Sequence, residues 1–181
     1  MDTIAQILTA LSLKPPPLLL VNSRARQKNS ELIARMILNG AFTIISGTDR
    51  LPSSSVVKYL RQRTNRPQDL FRFVPFARGE TCFKFANLLE EAQPKPEPLL
   101  VFDIFCGFYD QDIKLQTRMR VLKRCIQDLE RLSRFRSVVV LAQHISHADD
   151  LLFYPIIEEI ADQILYLEDE KEAAMQLAFL L

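Results

Sequence analysis

The chain has 181 residues and a formal net charge of +1; 48% of the residues are hydrophobic and 25% are charged. This balance predicts one soluble globular domain that buries its core without metal or disulfide staples. It excludes a membrane span, because no run approaches about 18 uninterrupted apolar residues. Three scattered cysteines exclude a disulfide framework and a CxxC zinc site.

The first half of the chain alternates between helical and strand-like periodicity. The predicted elements are a helix over Asp2–Leu13, a strand over Leu18–Val21, a helix over Ser30–Leu38, a strand over Ala41–Ser46 and a helix from Pro52 to Arg63. A triple proline separates the first helix from the first strand as a stiff connector. We therefore predict an N-terminal helix in residues 1–14 and a core domain in residues 15–181.

The second half continues the alternation. The predicted elements are a strand over Leu70–Phe76, a helix over Glu80–Ala92, a strand over Leu99–Asp103, a helix over Asp112–Ser133, strands over Ser137–Gln143 and Gln163–Leu167, and a final strand over Met175–Leu181 that forms a hairpin with the preceding one. Alternating strands and helices predict an α/β sandwich with three layers and a mostly parallel central sheet.

The helix over Asp112–Ser133 has one apolar stripe and an otherwise basic surface. The stripe consists of Leu115, Met119, Leu122, Ile126 and Leu129. The side chains that could contact DNA or a partner protein are Lys114, Arg118, Lys123, Arg124 and Arg131. Because exposed helix faces are usually charged, a merely solvated face is the alternative interpretation.

The two ends of the chain differ in charge. From Asp150 to Leu181 there are eight acidic residues and one basic residue, a net charge of −7, so the rest of the chain carries +8. A positive body with a negative end suits nucleic acid on one face, or head-to-tail contact between protomers.

The segment after the first strand has the outline of a phosphate-binding loop. In the pattern GxxxxGK[ST], the residues Asn22, Gln27, Lys28 and Asn29 take the two glycines, the lysine and the hydroxyl residue, with Ser30 one position late. Only Lys28 matches. Glutamine at the second glycine places a side chain where phosphate should lie, so the loop is predicted to be degenerate.

A second register places the loop after the next strand. It keeps Gly47 and the hydroxyl of Ser54 but has Ser53 in place of the lysine, adds the negative charge of Asp49 and loses an N–H donor at Pro52. In both registers the phosphate cradle is broken. No nucleotide, metal or other cofactor is therefore predicted, and no catalytic residue.

Polar residues follow two later strands. Asp103 ends the strand that begins at Leu99, and Gln143 ends the strand that begins at Ser137. Carboxyl ends of parallel strands are where open α/β sheets bind ligands. The order of loop strand, aspartate strand, long helix and strand with a polar tip resembles the core of RecA-like P-loop ATPases. The chain is similar in outline to small recombinase paralogues that associate with SWIM-domain proteins in Shu-type complexes.

This resemblance implies a function in homologous recombination or DNA repair. It implies a non-catalytic subunit that joins another RecA-like or SWIM-domain protein and assists a strand-exchange recombinase on single-stranded DNA. A nuclear location follows if the source is eukaryotic, and otherwise a cytoplasmic one. Two alternatives remain open: an unorthodox ATPase that uses Lys28, Asp103 and Gln143, and a scaffold protein in an unrelated pathway.

Overall fold

The computed structural model describes residues 2–49, 51–143 and 147–168. The strands are β1 (Leu18–Ser23), β2 (Thr43–Ser46), β3 (Phe76–Arg78), β4 (Leu99–Phe102), β5 (Val138–Gln143) and β6 (Gln163–Leu167). The helices are α1 (Thr3–Ala10), α2 (Arg26–Asn39), α3 (Ser53–Arg61), α4 (Pro67–Arg72), α5 (Cys82–Glu91), α6 (Leu115–Ser133) and α7 (Asp150–Glu158), with a 3₁₀ turn at Cys106–Phe108.

The strands form one parallel sheet in the order β3-β2-β4-β5-β1-β6. Strands β1, β4 and β5 are almost wholly apolar and buried, as strands covered on both faces must be. Their register is tight: Leu18 lies beside Val138, which in turn lies beside Leu99. The predicted α/β class and parallel sheet are confirmed.

Each face of the sheet carries its own apolar core. Alternate strand residues such as Leu20, Val101 and Val140 pack with α5, α6 and α7. Their neighbours, including Val21 and Val139, face the other way and pack with α1, α2 and α3. This alternation follows from the two-residue period of a strand, so one apolar run supplies both cores.

Helix α1 belongs to the second of these cores. Ile4 and Ile7 have no exposed surface, and the Asp2 side chain accepts a hydrogen bond from the Ile4 N–H at 3.1 Å, which caps the helix. The carboxylate of Asp2 also pairs with Arg35 of α2. The N-terminal helix thus packs on the α/β core.

One predicted strand is wrong. Residues 70–76 were expected to be extended, but α4 occupies Pro67–Arg72 and the strand is confined to Phe76–Arg78. Pro67 lies in the first turn of α4, where its fixed φ favours helix, and Pro75 supplies no N–H to a sheet. The alternating apolar pattern of this segment therefore arose from a short helix followed by a turn.

The basic helix also departs from its predicted pattern at the N-terminal end. Leu122, Ile126 and Leu129 are buried against the sheet, but Leu115 is 39% exposed and Met119 only partly buried.

The predicted hairpin strand Met175–Leu181 lies outside the described residues. None of the helices in the described ranges combines the length and the apolar character needed to cross a bilayer.

Candidate functional site

The carboxyl ends of β1, β5, β4 and β2 meet at one edge of the sheet. The chain leaves β1 and β2 toward α2 and α3 on one face, and leaves β4 and β5 toward α6 and α7 on the other. This divergence opens a crevice at the strand ends. We call it the strand-end cleft; it encloses about 560 Å³ and is lined by Arg26, Asn29, Thr48, Asp49, Pro52, Phe102, Asp103, Cys106 and Gln143.

The connection from β1 to α2 is much shorter than the predicted loop. Strand β1 continues to Ser23 and α2 starts at Arg26, so only Arg24 and Ala25 join them. The Arg24 N–H donates to the Leu167 carbonyl at 3.2 Å, and the Ala25 N–H donates to Ser23 Oγ at 3.3 Å. Both connecting amides are therefore engaged within the protein. The predicted loop over residues 22–29 is therefore wrong in its length, and the two-residue connection offers no cradle of inward N–H groups.

The structure separates the residues that the phosphate-loop pattern had grouped. Asn29 reaches the strand-end cleft, whereas Asn22 lines a neighbouring cleft of about 400 Å³ between β1 and β6. Gln27 is exposed, and Lys28 pairs with Glu31 one helical turn away at 3.4 Å. The Ser30 hydroxyl donates to the Arg26 carbonyl at 3.2 Å, as buried helical serines often do.

Asp103 and Gln143 do lie together with Asn29, as expected from their positions at strand ends. Asp103 is 6% exposed and has a positive φ of 54°, and its N–H donates to the Leu141 carbonyl at 2.8 Å. Burial raises the pKa of its carboxyl group from 3.8 to about 6. No described residue donates a hydrogen bond to its Oδ1 atom.

Besides Asp103 Oδ1, a second buried oxygen without a hydrogen-bond partner borders the same cleft. Asn29 is 2% exposed, and its Oδ1 atom has no hydrogen-bond partner among the described residues. Each such atom costs about 1–3 kcal/mol when it remains unsatisfied. Arg26 and Asp49 also line the cleft and supply one charge of each sign. The cleft is thus polar at its base, with acceptors that suit water or a small hydrogen-bond donor.

Close packing of the backbone explains why position 47 is a glycine. A Cβ atom at this position would lie 2.3 Å from the Asp103 carbonyl oxygen, so only glycine lets β2 and β4 approach here. The Gly47 N–H donates to the Phe102 carbonyl at 2.9 Å. The glycine of the alternative phosphate-loop register therefore serves the sheet.

Several basic side chains of α6 hold the protein together. Arg118 is 6% exposed and donates to the carbonyls of Phe108 and Ile113 at 2.7 and 3.0 Å and to Asp149 at 2.6 Å. A buried guanidinium with three partners is not placed to contact DNA, which corrects the expectation for this residue.

Arg124 and Arg131 are also engaged. Arg124 forms an ion pair with Glu90 of α5. Arg131 donates to Asp128 and to the carbonyls of Leu89 and Glu90, which satisfies the C-terminal end of α5. Lys114 and Lys123, the other two predicted contact residues, are exposed and make no ion pair with any described residue.

A polar cluster beside α7 was missed by sequence reasoning. The Tyr109 hydroxyl donates to one carboxylate oxygen of Asp150, and the His147 N–H donates to the other at 3.0 Å. Burial and the Asp150 carboxylate raise the pKa of Tyr109 far above its usual value. Tyr109 and Asp150 are 41 residues apart in sequence, so no local sequence pattern could have predicted their hydrogen bond. Among the described residues no group of three or more potential metal ligands occurs.

Neither a protein-family model nor a curated protein sequence matches the chain.

Proposed function

We propose that the chain is a RecA-like recombinase paralogue without ATPase activity. In this proposal it is a subunit of a homologous recombination or DNA repair complex, with another RecA-like or SWIM-domain protein and a strand-exchange recombinase as partners. The complex acts on single-stranded DNA, in the nucleus if the source is eukaryotic.

Strand adjacency supports the RecA-like assignment. Strands β1, β5 and β4 lie side by side, and each carries one element of the expected constellation at its carboxyl end. These elements are the former phosphate-loop connection, Gln143 and Asp103. Asp103 and Gln143 line the strand-end cleft together although they lie far apart in sequence, as the resemblance requires, whereas Arg24 of the connection lines the neighbouring cleft.

One observation supports the lack of ATPase activity above all others. The β1–α2 connection has only two residues, and both of their N–H groups are bound within the protein. A triphosphate needs several inward N–H groups and a nearby cation, but Lys28 is directed to Glu31.

The first test is nucleotide binding by the purified chain. Millimolar Mg·ATP should leave the thermal midpoint unchanged, because a ligand stabilises a protein only when it binds the native state. ATP hydrolysis should equal that of a heat-denatured sample. Lys28→Ala should retain full function in a recombination assay, whereas a clear loss with the fold intact contradicts the proposal.

A second candidate function is nucleotide binding in the strand-end cleft, as in an unorthodox ATPase. The unpartnered oxygens of Asn29 and Asp103 favour it, because both border a cleft large enough for a small molecule. A rise in the thermal midpoint with ATP that is lost in Asn29→Leu would support this candidate over the first.

The recombination role has its own test. Adding the chain, with its copurified partner, to a recombinase on single-stranded DNA should increase the yield of strand exchange. An unchanged yield, with every component shown to be folded, contradicts this part of the proposal.

A further inference from the structure

Three large apolar side chains are exposed around α4 and β3. Phe73 is 83% exposed, Phe76 46% and Leu70 36%, while Phe71 and Val74 turn inward to the core. A phenylalanine that leaves most of its surface in water loses the stabilisation that burial would give. Clustered exposure of this kind marks interaction surfaces in soluble proteins.

Strand β3 lies at the edge of the sheet. Within the described part of the chain it pairs with β2 alone. The Ile44 N–H donates to the Pro75 carbonyl, and the Gly79 N–H donates to the Ser46 carbonyl, both at 2.9 Å. Because backbone groups alternate in direction along a strand, those of Phe76 and Arg78 point away from β2. An unpaired edge of this kind can accept another strand.

Two shallow grooves meet at Leu70 and Phe73. One encloses about 810 Å³ and is lined further by Thr64, Asn65, Arg66 and Asp69. The other encloses about 210 Å³ between α2 and α4, and its walls include Phe42, Val74 and Pro75. The first groove is polar at its rim and the second is mainly apolar, so together they fit a chain with mixed side chains.

The charge around these grooves is positive. Residues 58–80 contain six basic and two acidic side chains. Arg66 and Arg72 are exposed and make no ion pair with any described residue, and Arg78 forms only a surface pair with Glu80 at 3.1 Å. A partner segment that lies here must be acidic to complement this charge.

We propose that this surface binds an extended acidic segment of a partner protein. We call it the β3-edge surface and define it by Arg66, Leu70, Arg72, Phe73, Phe76 and Arg78. The segment adds as a strand beside β3 through the backbone groups of Phe76 and Arg78, as in other cases of strand addition. An apolar side chain of the segment packs on Leu70 and Phe73, while its carboxylates face the three arginines.

Three observations together select this occupant. The open backbone edge requires an extended chain, the apolar grooves require apolar side chains, and the arginines require acids. Single-stranded nucleic acid does not suit the positive surface equally well, because its backbone lacks the alternating N–H and C=O groups that pair with the edge of β3. The inference rests on the proposed function only in that the chain works inside a protein complex.

A phage-displayed library of random peptides, selected against the full chain, provides the probe. Selected peptides should alternate apolar residues with Asp or Glu. Labelled synthetic copies should bind Phe73→Ser, and the double variant Arg72→Glu with Arg78→Glu, at least about tenfold more weakly than the parent protein. Leu151→Ser, which alters an 85% exposed residue on α7, is the matched control and should bind normally. Amide exchange at Phe76 and Arg78 should slow when peptide is bound.

Several results would overturn the inference. Equal binding to the parent and to both variants places the peptides elsewhere, and unprotected amides at Phe76 and Arg78 exclude strand addition. Competition by oligothymidylate assigns the surface to nucleic acid, and self-association lost in Phe73→Ser assigns it to a second copy. ATP binding, by contrast, would refute the proposed function and leave this surface untouched.

Discussion

At the scale of single residues, a buried carboxylate without a positive partner destabilises the folded state when it is charged. Among the described residues Asp103 has no such partner, and burial raises the pKa of its carboxyl group from 3.8 to about 6. Its charged form is disfavoured in the folded protein only, so unfolding becomes easier as pH rises through the window from about 4 to 6. Below this window both states hold the proton and the effect disappears. A shift of this size corresponds to about 3 kcal/mol at pH 7.

Asp103→Asn should therefore stabilise the protein at neutral pH. Asparagine keeps the shape of the side chain and tolerates the positive φ of this position. We expect the free energy of unfolding in urea to rise by about 1–3 kcal/mol at pH 7 and to remain nearly unchanged at pH 3. Glu91→Gln, at an exposed position of α5, is the control. A less stable Asp103→Asn protein at pH 7 would mean that the carboxylate has a favourable partner.

Arg118 has the opposite character, because its buried charge is fully engaged. Arg118→Ala leaves Asp149 and two carbonyl oxygens without their donor. Loss of one partner from a buried pair typically costs about 3–5 kcal/mol, which we expect as a fall in unfolding free energy. Arg120→Ala, on the exposed side of the same helix, should change it by less than about 0.5 kcal/mol. Equal effects of the two variants would show that Arg118 is not structural.

At the scale of elements, α6 packs against the sheet mainly through Leu122, Ile126 and Leu129, the last three of the five residues in its apolar stripe. Leu122 has no exposed surface, whereas Leu115 is 39% exposed. Leu122→Ala should lower the unfolding free energy by about 2–5 kcal/mol, because it removes buried methyl groups and leaves a cavity. Leu115→Ala should cost well under about 1 kcal/mol. Urea titration of both variants is the measurement, and a comparable loss in both would contradict the packing described here.

Strands proved more predictable than the boundaries of helices. The apolar runs beginning at Leu18, Leu99 and Val138 would be unfavourable if exposed to water on either face. Their burial in a parallel sheet could therefore be predicted from the sequence. Helix α2 was expected at Ser30 because Arg26–Asn29 is polar, yet the helix begins at Arg26. Asn29 is buried at the base of the strand-end cleft. The burial of a polar residue at this position depends on tertiary structure, so the local sequence pattern does not predict it.

The residues of the candidate site, too, could be predicted only in part from local sequence patterns. Asp103 and Gln143 were found because residues at the carboxyl ends of parallel strands share one edge of the sheet. Asn22, Gln27 and Lys28 were misplaced because their positions depend on the length of a connection, and two residues suffice between β1 and α2. Arg26 and Asp49 were not predicted as site residues, because Arg26 fills an unspecified position of the first register and Asp49 was considered only as a repulsive charge in the second.

At the scale of the whole molecule, the two edges of the sheet differ in charge. Residues 58–80, which lead to the β3 edge, carry six bases and two acids, whereas residues 149–168, which lead to the β6 edge, carry six acids and no base. Among the described residues, charges of opposite sign therefore lie toward opposite edges of the sheet. A polyanion is repelled from the β6 edge and must approach from elsewhere.

Helix α6 offers such an approach along one exposed face. Arg120, Lys123 and Arg134 lie on this face over about 21 Å, given the helical rise of 1.5 Å per residue, and none pairs with a described acid. Arg124 is the natural contrast, because Glu90 already neutralises its charge. We expect single-stranded DNA to be bound by the unpaired cations if the contact is direct.

The double variant Arg120→Gln with Lys123→Gln should therefore weaken binding to oligothymidylate in a salt-dependent way. Two lost phosphate contacts should reduce the slope of log affinity against log salt concentration by about 1.4, since each contact on a single strand contributes about 0.7. Arg124→Gln should leave the slope nearly unchanged, and Phe73→Ser should leave both slope and affinity unchanged. The measurement is fluorescence anisotropy across a salt series. Identical slopes for the parent protein and the double variant would show that α6 is only a solvated face, and DNA contact would then have to come from the partners in the complex.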